Sequence, residues 1–141
     1  LALMGTGRLP VSVLGDGDFM QGNTALWTAA HYKIPLLMII SNNHSNFNDE
    51  MHQETVAKDR GRPVENRWIG MRISEPDLDL GAVARSLGVE AGEPVSRMGD
   101  LLPAIEAGLK AVEAGEPHFL DVHVDTGYAQ APLMRGGSSG T

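Results

Sequence analysis

Val11-Ser-Val-Leu-Gly-Asp-Gly-Asp-Phe-Met-Gln-Gly22 and, after a short apolar run, Pro35-Leu-Leu-Met-Ile-Ile-Ser-Asn-Asn-His-Ser-Asn46 decide the fold. They read as strand, tight turn, helix and strand, with a lone carboxylate, Asp16, after the first strand and an amide pair, Asn42-Asn43, after the second. Two parallel strands joined by a short crossover helix set their carboxyl ends side by side, at the sheet edge where open α/β folds bind ligands. Asp16 and Asn43 are therefore expected to be neighbours in space.

A carboxylate, an amide oxygen and backbone carbonyls are hard oxygen donors, which suit Mg²⁺ or Ca²⁺ better than zinc or copper. Gly15 and Gly17 flank Asp16 and leave room for a ligand to approach the backbone, while the following helix aims its N-terminus at the same place. Alone, Gly-Asp-Gly is an ordinary turn and Asn-Asn an ordinary strand end. Joined by a βαβ unit, they point to a metal-bridged phosphate.

The wider chain sets limits on function. Its 141 residues suffice for one domain with a real core, and 18 acidic against 11 basic residues give a net charge of −7, which argues against nucleic acid as a partner. The absence of cysteine excludes a disulfide framework and thiolate metal sites. No apolar run has the length of a membrane span and no signal-peptide pattern is present, so a cytoplasmic protein without a membrane partner is the default expectation. Leu1 to Met4 read as the last turn of a helix that begins upstream, and Gly136 to Thr141 have linker composition. The expected organisation is one domain over 1–128 and a flexible tail over 129–141.

Between these limits the elements follow from local pattern. Pro10 opens a first strand whose Val11, Val13 and Leu14 suggest burial on both faces. Asp18 to Gly22 are expected to form a loop, and Asn23 to cap a helix over Thr24–Tyr32 that is apolar almost all round, which suggests a subunit or domain contact. Leu36 to Ile40 predict a central strand. From His44 to Pro76 periodicity fades and Arg60, Arg62, Arg67 and Arg72 appear, predicting a long loop, with Asn46 to Met51 as a lid. Asp77 or Asp79 caps a helix that buries Leu80, Val83, Ala84 and Leu87 and ends at Gly88; a brief strand spans Val89 to Ala91. Asp100 is expected to cap the next helix, with Pro103 in its first turn and Leu101, Leu102, Ile105, Leu109 and Val112 facing the core. Phe119 to Val124 form the last strand, in a less buried position. Alternating strands and helices give an α/β fold, a doubly wound and mostly parallel sheet with helices on both faces. His52 lacks the second histidine of a zinc-protease helix, while His118 and His123 lie on opposite faces of one strand and read as edge or surface residues.

Gly15-Asp16-Gly17, the intervening helix and strand, and Asn42-Asn43 resemble the cofactor motif of thiamine diphosphate-dependent enzymes, and Ala25 to Pro35 is similar to the benzoylformate decarboxylase and acetolactate synthase branch. The resemblance implies a thiamine diphosphate-binding fold, truncated at its N-terminus, with Mg²⁺ held by Asp16, the Asn43 side chain and the Ser45 backbone carbonyl. It implies that Gly15, Gly17, Asp18 and Asn46 lie against the diphosphate; Asp18 departs from the serine or alanine of many relatives. It further implies a 2-oxo acid substrate, decarboxylase or carboligase chemistry, and a homodimer or homotetramer. The pyrimidine-binding domain or subunit that supplies the activating glutamate has no counterpart in the chain, so the chain alone is expected to be inactive. Asp49, or Glu50 beside it, is the candidate for relaying a proton, from position alone, and His44 and His52 remain candidates for proton transfer because they lie beside the same site. The competing reading is a non-catalytic module that binds Mg²⁺ and a nucleotide at the same sheet edge.

Overall fold

The computed structural model describes residues 6–127. The helical turn expected at Leu1 to Met4, the end of the domain at 128 and the tail at 129–141 lie outside the described residues. Four strands, β1 (Val11–Gly15), β2 (Leu37–Asn42), β3 (Glu90–Ala91) and β4 (His118–His123), form one sheet in the order β1-β2-β4-β3, with every ladder parallel. Consecutive parallel strands need crossovers, and these supply the helices. α1 (Asp16–Gly22) and α2 (Ala25–His31) join β1 to β2; α3 (Phe47–Asp59) and α4 (Leu80–Ser86) lie between β2 and β3; α5 (Met98–Glu113) joins β3 to β4.

The doubly wound arrangement follows from which side chains each strand turns outward. On one face, Phe19 of α1, Leu26 of α2 and Leu80 and Ala84 of α4 pack on Met38, Ile40 and Phe119. The Phe19 and Phe119 rings lie 5.0 Å apart in a tilted pair, an arrangement that contributes about 0.5–1.5 kcal/mol beyond burial of their area. On the other face, Leu109 and Val112 of α5 pack on Leu37 and Leu120. Asp79 caps α4 by accepting a hydrogen bond from the Ala82 N–H at 2.7 Å, and Gly88, at φ +87°, ends that turn in the left-handed conformation that glycine adopts without strain. Among the described residues no helix is long and apolar enough to cross a membrane.

Several local expectations are corrected. Asp18 to Gly22 are not a loop: the crossover becomes helical immediately at Asp16, and its glycines made it look irregular. Asn23 caps no following helix; it sits at the α1–α2 junction and its amide donates to the Met20 carbonyl. β1 is not buried on both faces, because α5 covers β2 and β4 but leaves Val11 and Val13 exposed. The 44–76 segment is not one loop. Its first part is the 13-residue helix α3, whose sequence shows no apolar period because Glu50 is its only buried residue. α5 begins at Met98, so Pro103 falls in its second turn, Asp100 pairs with Arg97 instead of capping, and Leu102 faces solvent. Phe119 to Val124 were expected in a less buried position; β4 instead runs between β2 and β3 and buries Phe119, Leu120 and Asp121.

Two tests follow from the α5 face. A Cβ on Gly108 would stand 2.6 Å from Leu37 Cδ1 and 3.1 Å from His118 Cδ2, whereas one on Gly99 meets nothing within 4 Å. Gly108→Ala is expected to lower stability by about 1–3 kcal/mol through overpacking, and Gly99→Ala in the same helix to leave it unchanged or raise it, in urea unfolding followed by circular dichroism. Burial also holds the His118 imidazole below its ordinary pKa, with Glu90 opposing, and its Nδ1 has no partner among the described residues. A depressed histidine contributes stability above its unfolded pKa, near 6.5, that is lost as pH falls through the folded value. Unfolding midpoints should therefore drop as pH falls below about 6.5, and drop less steeply in His118→Leu.

Candidate functional site

The carboxyl ends of β1 and β2 are adjacent, with Gly15 opposite Ser41 in the register, and α1 starts at the next residue. Asp16 thus sits at the first position of a helix and directly after a strand, with only 2% of its surface exposed. Its Oδ1 accepts from the Gly17 N–H at 3.0 Å and its Oδ2 from the Ser45 N–H at 3.1 Å. The same Ser45 N–H donates to Asn43 Oδ1 at 3.0 Å. One amide proton therefore holds both side chains, and the expected neighbours are neighbours.

Burial raises the Asp16 carboxyl above its ordinary pKa, while N–H groups of Gly17, Asp16 itself and Ser45, and then the His44 charge, pull it back. The sign matters for stability. A carboxyl whose folded pKa is raised contributes stability in acid that is lost as pH rises through that value, so ionising Asp16 weakens the fold. A cation beside it would remove that cost.

The loop His44 to Asn46 is fixed from behind. His44 adopts φ +56°, its N–H donates to Asn42 Oδ1 at 3.1 Å, and Asn42 Nδ2 donates to Asp121 Oδ1 on β4 at 3.0 Å. The Thr126 hydroxyl donates to the Asn43 carbonyl at 2.8 Å. On the far side the Asn46 N–H donates to the Met71 carbonyl, and the Ile73 N–H to the His44 carbonyl, an antiparallel bridge centred on Ser45 and Arg72. Asp121 was not among the expected site residues. A carboxylate between Leu120 and Val122 in the middle of a strand was the available signal.

A cleft of about 540 Å³ opens at this edge, lined by Gly15, Asp16, Gly17, Asp18, Asn43, Ser45, Asn46 and Asp49, together with Val13, Leu14 and Phe47. Of the residues expected at the site, Glu50, His44 and His52 do not line it. Glu50 is 2% exposed and accepts a hydrogen bond from the Ser45 hydroxyl. His52 lies instead in a separate pocket with Arg60, Arg62 and Arg67, and His44 and His123 share a third, their rings 5.1 Å apart. Among the described residues no three His, Cys, Asp or Glu side chains group as a metal site. The cleft lining offers the carboxylates of Asp16, Asp18 and Asp49 and the carboxamides of Asn43 and Asn46, hard oxygen donors of the kind that suit Mg²⁺ or Ca²⁺. The cleft floor needs a missing side chain, since a Cβ on Gly17 would stand 2.9 Å from Asn46 Cγ and closer still to its Oδ1.

The family described as "Thiamine pyrophosphate enzyme, C-terminal TPP binding domain" matches residues 2–122. The chain is 30% identical over 128 residues to benzoylformate decarboxylase of Pseudomonas aeruginosa, covering 84% of this chain and 20% of that protein. It is 29% identical over 132 residues to a probable acetolactate synthase large subunit of Methanocaldococcus jannaschii, covering 90% of this chain and 20% of that protein. Its fold superposes with a TM-score of 0.68 and 26% identity on a thiamine diphosphate-dependent 4-hydroxybenzoylformate decarboxylase of Rhodococcus jostii RHA1, over 92% of this chain and 22% of that one. The chain thus spans about a fifth of the length of the relatives it matches.

The Gly17 contact gives a test within the site. Gly17→Ala is expected to cost about 1–3 kcal/mol in urea unfolding, because the added methyl overlaps the Asn46 carboxamide. Asn46→Ala in the same background should recover most of the loss, since the three nearest atoms all belong to that side chain.

Proposed function

The chain belongs to the thiamine pyrophosphate enzymes, as their C-terminal TPP-binding domain, and from that premise we propose that it is the diphosphate-binding part of a Mg²⁺-dependent enzyme that decarboxylates or joins 2-oxo acids. The observation that carries this reading is the Ser45 N–H shared between Asp16 and Asn43 at the mouth of the cleft. In this reading Asp16, the Asn43 carboxamide oxygen and the Ser45 backbone carbonyl hold Mg²⁺, and Gly15, Gly17, Asp18 and Asn46 lie against the diphosphate. When bound, thiamine diphosphate supplies a carbon nucleophile that also accepts the electrons released as a 2-oxo acid loses carbon dioxide.

The chain's own groups bind and orient. Asp16 supplies the buried negative charge that a divalent cation neutralises, and Gly17 supplies close backbone approach. Asp18 adds a second carboxylate, which repels a diphosphate unless the cation lies between them. In this reading Asp49, which lines the cleft, is the group that moves a proton at the reacting carbon. Branch members among the relatives support a 2-oxo acid substrate, and their fivefold greater length supports a separate pyrimidine-binding domain or subunit as partner, met in a homodimer or homotetramer. Exposed Trp27 and Tyr32 on and beside α2 offer apolar surface for such a contact.

Isothermal titration of the full polypeptide bearing this sequence tests the reading. Thiamine diphosphate should bind in the presence of Mg²⁺ and lose binding when the metal is chelated, and Asp16→Ala should weaken binding at least about 100-fold, the loss of a direct ligand exceeding the effect of an outer one. A nucleoside diphosphate binding as tightly would instead indicate the module without thiamine chemistry.

A further inference from the structure

Among the described residues, helix α3 contributes none to either apolar core cluster. Its one buried residue is Glu50, a carboxylate in a helix whose other twelve positions are partly or fully exposed. Burial of an acidic group is costly without compensating partners, so what Glu50 meets explains where the helix sits. Glu50 Oε1 accepts from the Ser45 hydroxyl, and Arg72 Nε lies 3.8 Å from the same oxygen. Ser45 is itself 4% exposed. Arg72 lies with its guanidinium 5.4 Å from the centre of the Trp68 ring, and its backbone bridges Ser45 from the opposite side. Ser45 is thus gripped twice: by its N–H, toward Asp16 and Asn43, and by its hydroxyl, toward Glu50.

Resting on the function proposed above, we infer that Glu50 is a positioning residue for the cofactor site, not a proton-transfer group. It does not reach the cleft, so it touches neither substrate nor diphosphate. What it fixes is the placement of Ser45, the residue whose N–H orients two candidate ligands and whose carbonyl, in the next peptide unit, is the third. Groups that orient ligands from behind govern metal affinity about 10–100-fold when removed. The neighbouring Asp49 lines the cleft and so keeps a proton-transfer role open to it.

The test compares Glu50→Ala, Glu50→Gln and Ser45→Ala in the full polypeptide, reading the dissociation constant for thiamine diphosphate at fixed Mg²⁺ under conditions where circular dichroism shows each variant folded. Glu50→Ala is expected to weaken binding about 10-fold or more, and Glu50→Gln, which keeps an acceptor for the Ser45 hydroxyl, to restore most of it. Ser45→Ala removes only that hydroxyl and keeps the inference testable if Glu50→Ala fails to fold; it should weaken binding in the same direction. The Ser45→Ala, Glu50→Ala double variant should be no weaker than the worse single one, because both cut one link. A folded Glu50→Ala or Ser45→Ala with wild-type affinity overturns the inference while leaving the proposed function standing. Failure of the wild-type polypeptide to bind thiamine diphosphate with Mg²⁺ overturns both.

Discussion

A single backbone N–H, that of Ser45, is shared between the carboxylate of Asp16 and the carboxamide of Asn43, and the carboxyl edge of the sheet is arranged around it. Asp16 reaches this donor because β1 and β2 are adjacent and parallel, with the end of β1 at Gly15 opposite Ser41, one residue before β2 ends. The crossover helices must then start at once, which places Asp16 in the first turn of α1, where the aligned peptide dipoles favour negative charge. The apolar packing of Phe19, Leu26, Ile40 and Phe119 lies below this edge and fixes its geometry without touching the cleft. Sequence, sheet and site are linked through one hydrogen-bonded unit.

The edge is built from polar contacts where the rest of the domain is built from apolar ones. Asp121 holds Asn42, Asn42 holds the His44 N–H, and Glu50 holds the Ser45 hydroxyl, so two buried carboxylates back a loop of three residues. Buried polar groups are costly when unpaired and rigid when paired. A loop held in this way can present oxygen atoms at fixed positions, which is what a small divalent cation demands. The burial that raises the Asp16 pKa belongs to the same balance: ionising that carboxyl is unfavourable in the fold, at a place where a cation would offset the cost.

Much of this was legible in the residues because it rests on short-range pattern. The Gly-Asp-Gly turn, the unbroken apolar run of β2, the Asp79 cap and the stop at Gly88 each express a local rule, and the βαβ reading brought Asp16 and Asn43 together before any coordinates. What escaped depends on distant partners. α3 carries no apolar stripe, since its anchor is a carboxylate, and so it looked like a loop. β4 looked like a peripheral strand because Asp121 and the two histidines break its apolar run, yet Asp121 is buried to hold Asn42, 79 positions away. Glu50 stood next to Asp49 in sequence and shared its expected role, but one helical step turns them to different sides, one into the cleft and one behind Ser45.

The central claim is that the Asp16, Asn43 and Ser45 unit holds a divalent cation. The most direct measurement is a crystal structure of the full polypeptide with thiamine diphosphate and Mn²⁺ in place of Mg²⁺, with the metal located by its anomalous scattering. Expected is one peak at bonding distance, about 2.0–2.3 Å, from an Asp16 carboxylate oxygen, the Asn43 carboxamide oxygen and the Ser45 carbonyl, with diphosphate oxygens completing the shell. A peak held by other residues, or a diphosphate bound with no metal between it and Asp16, would contradict the claim.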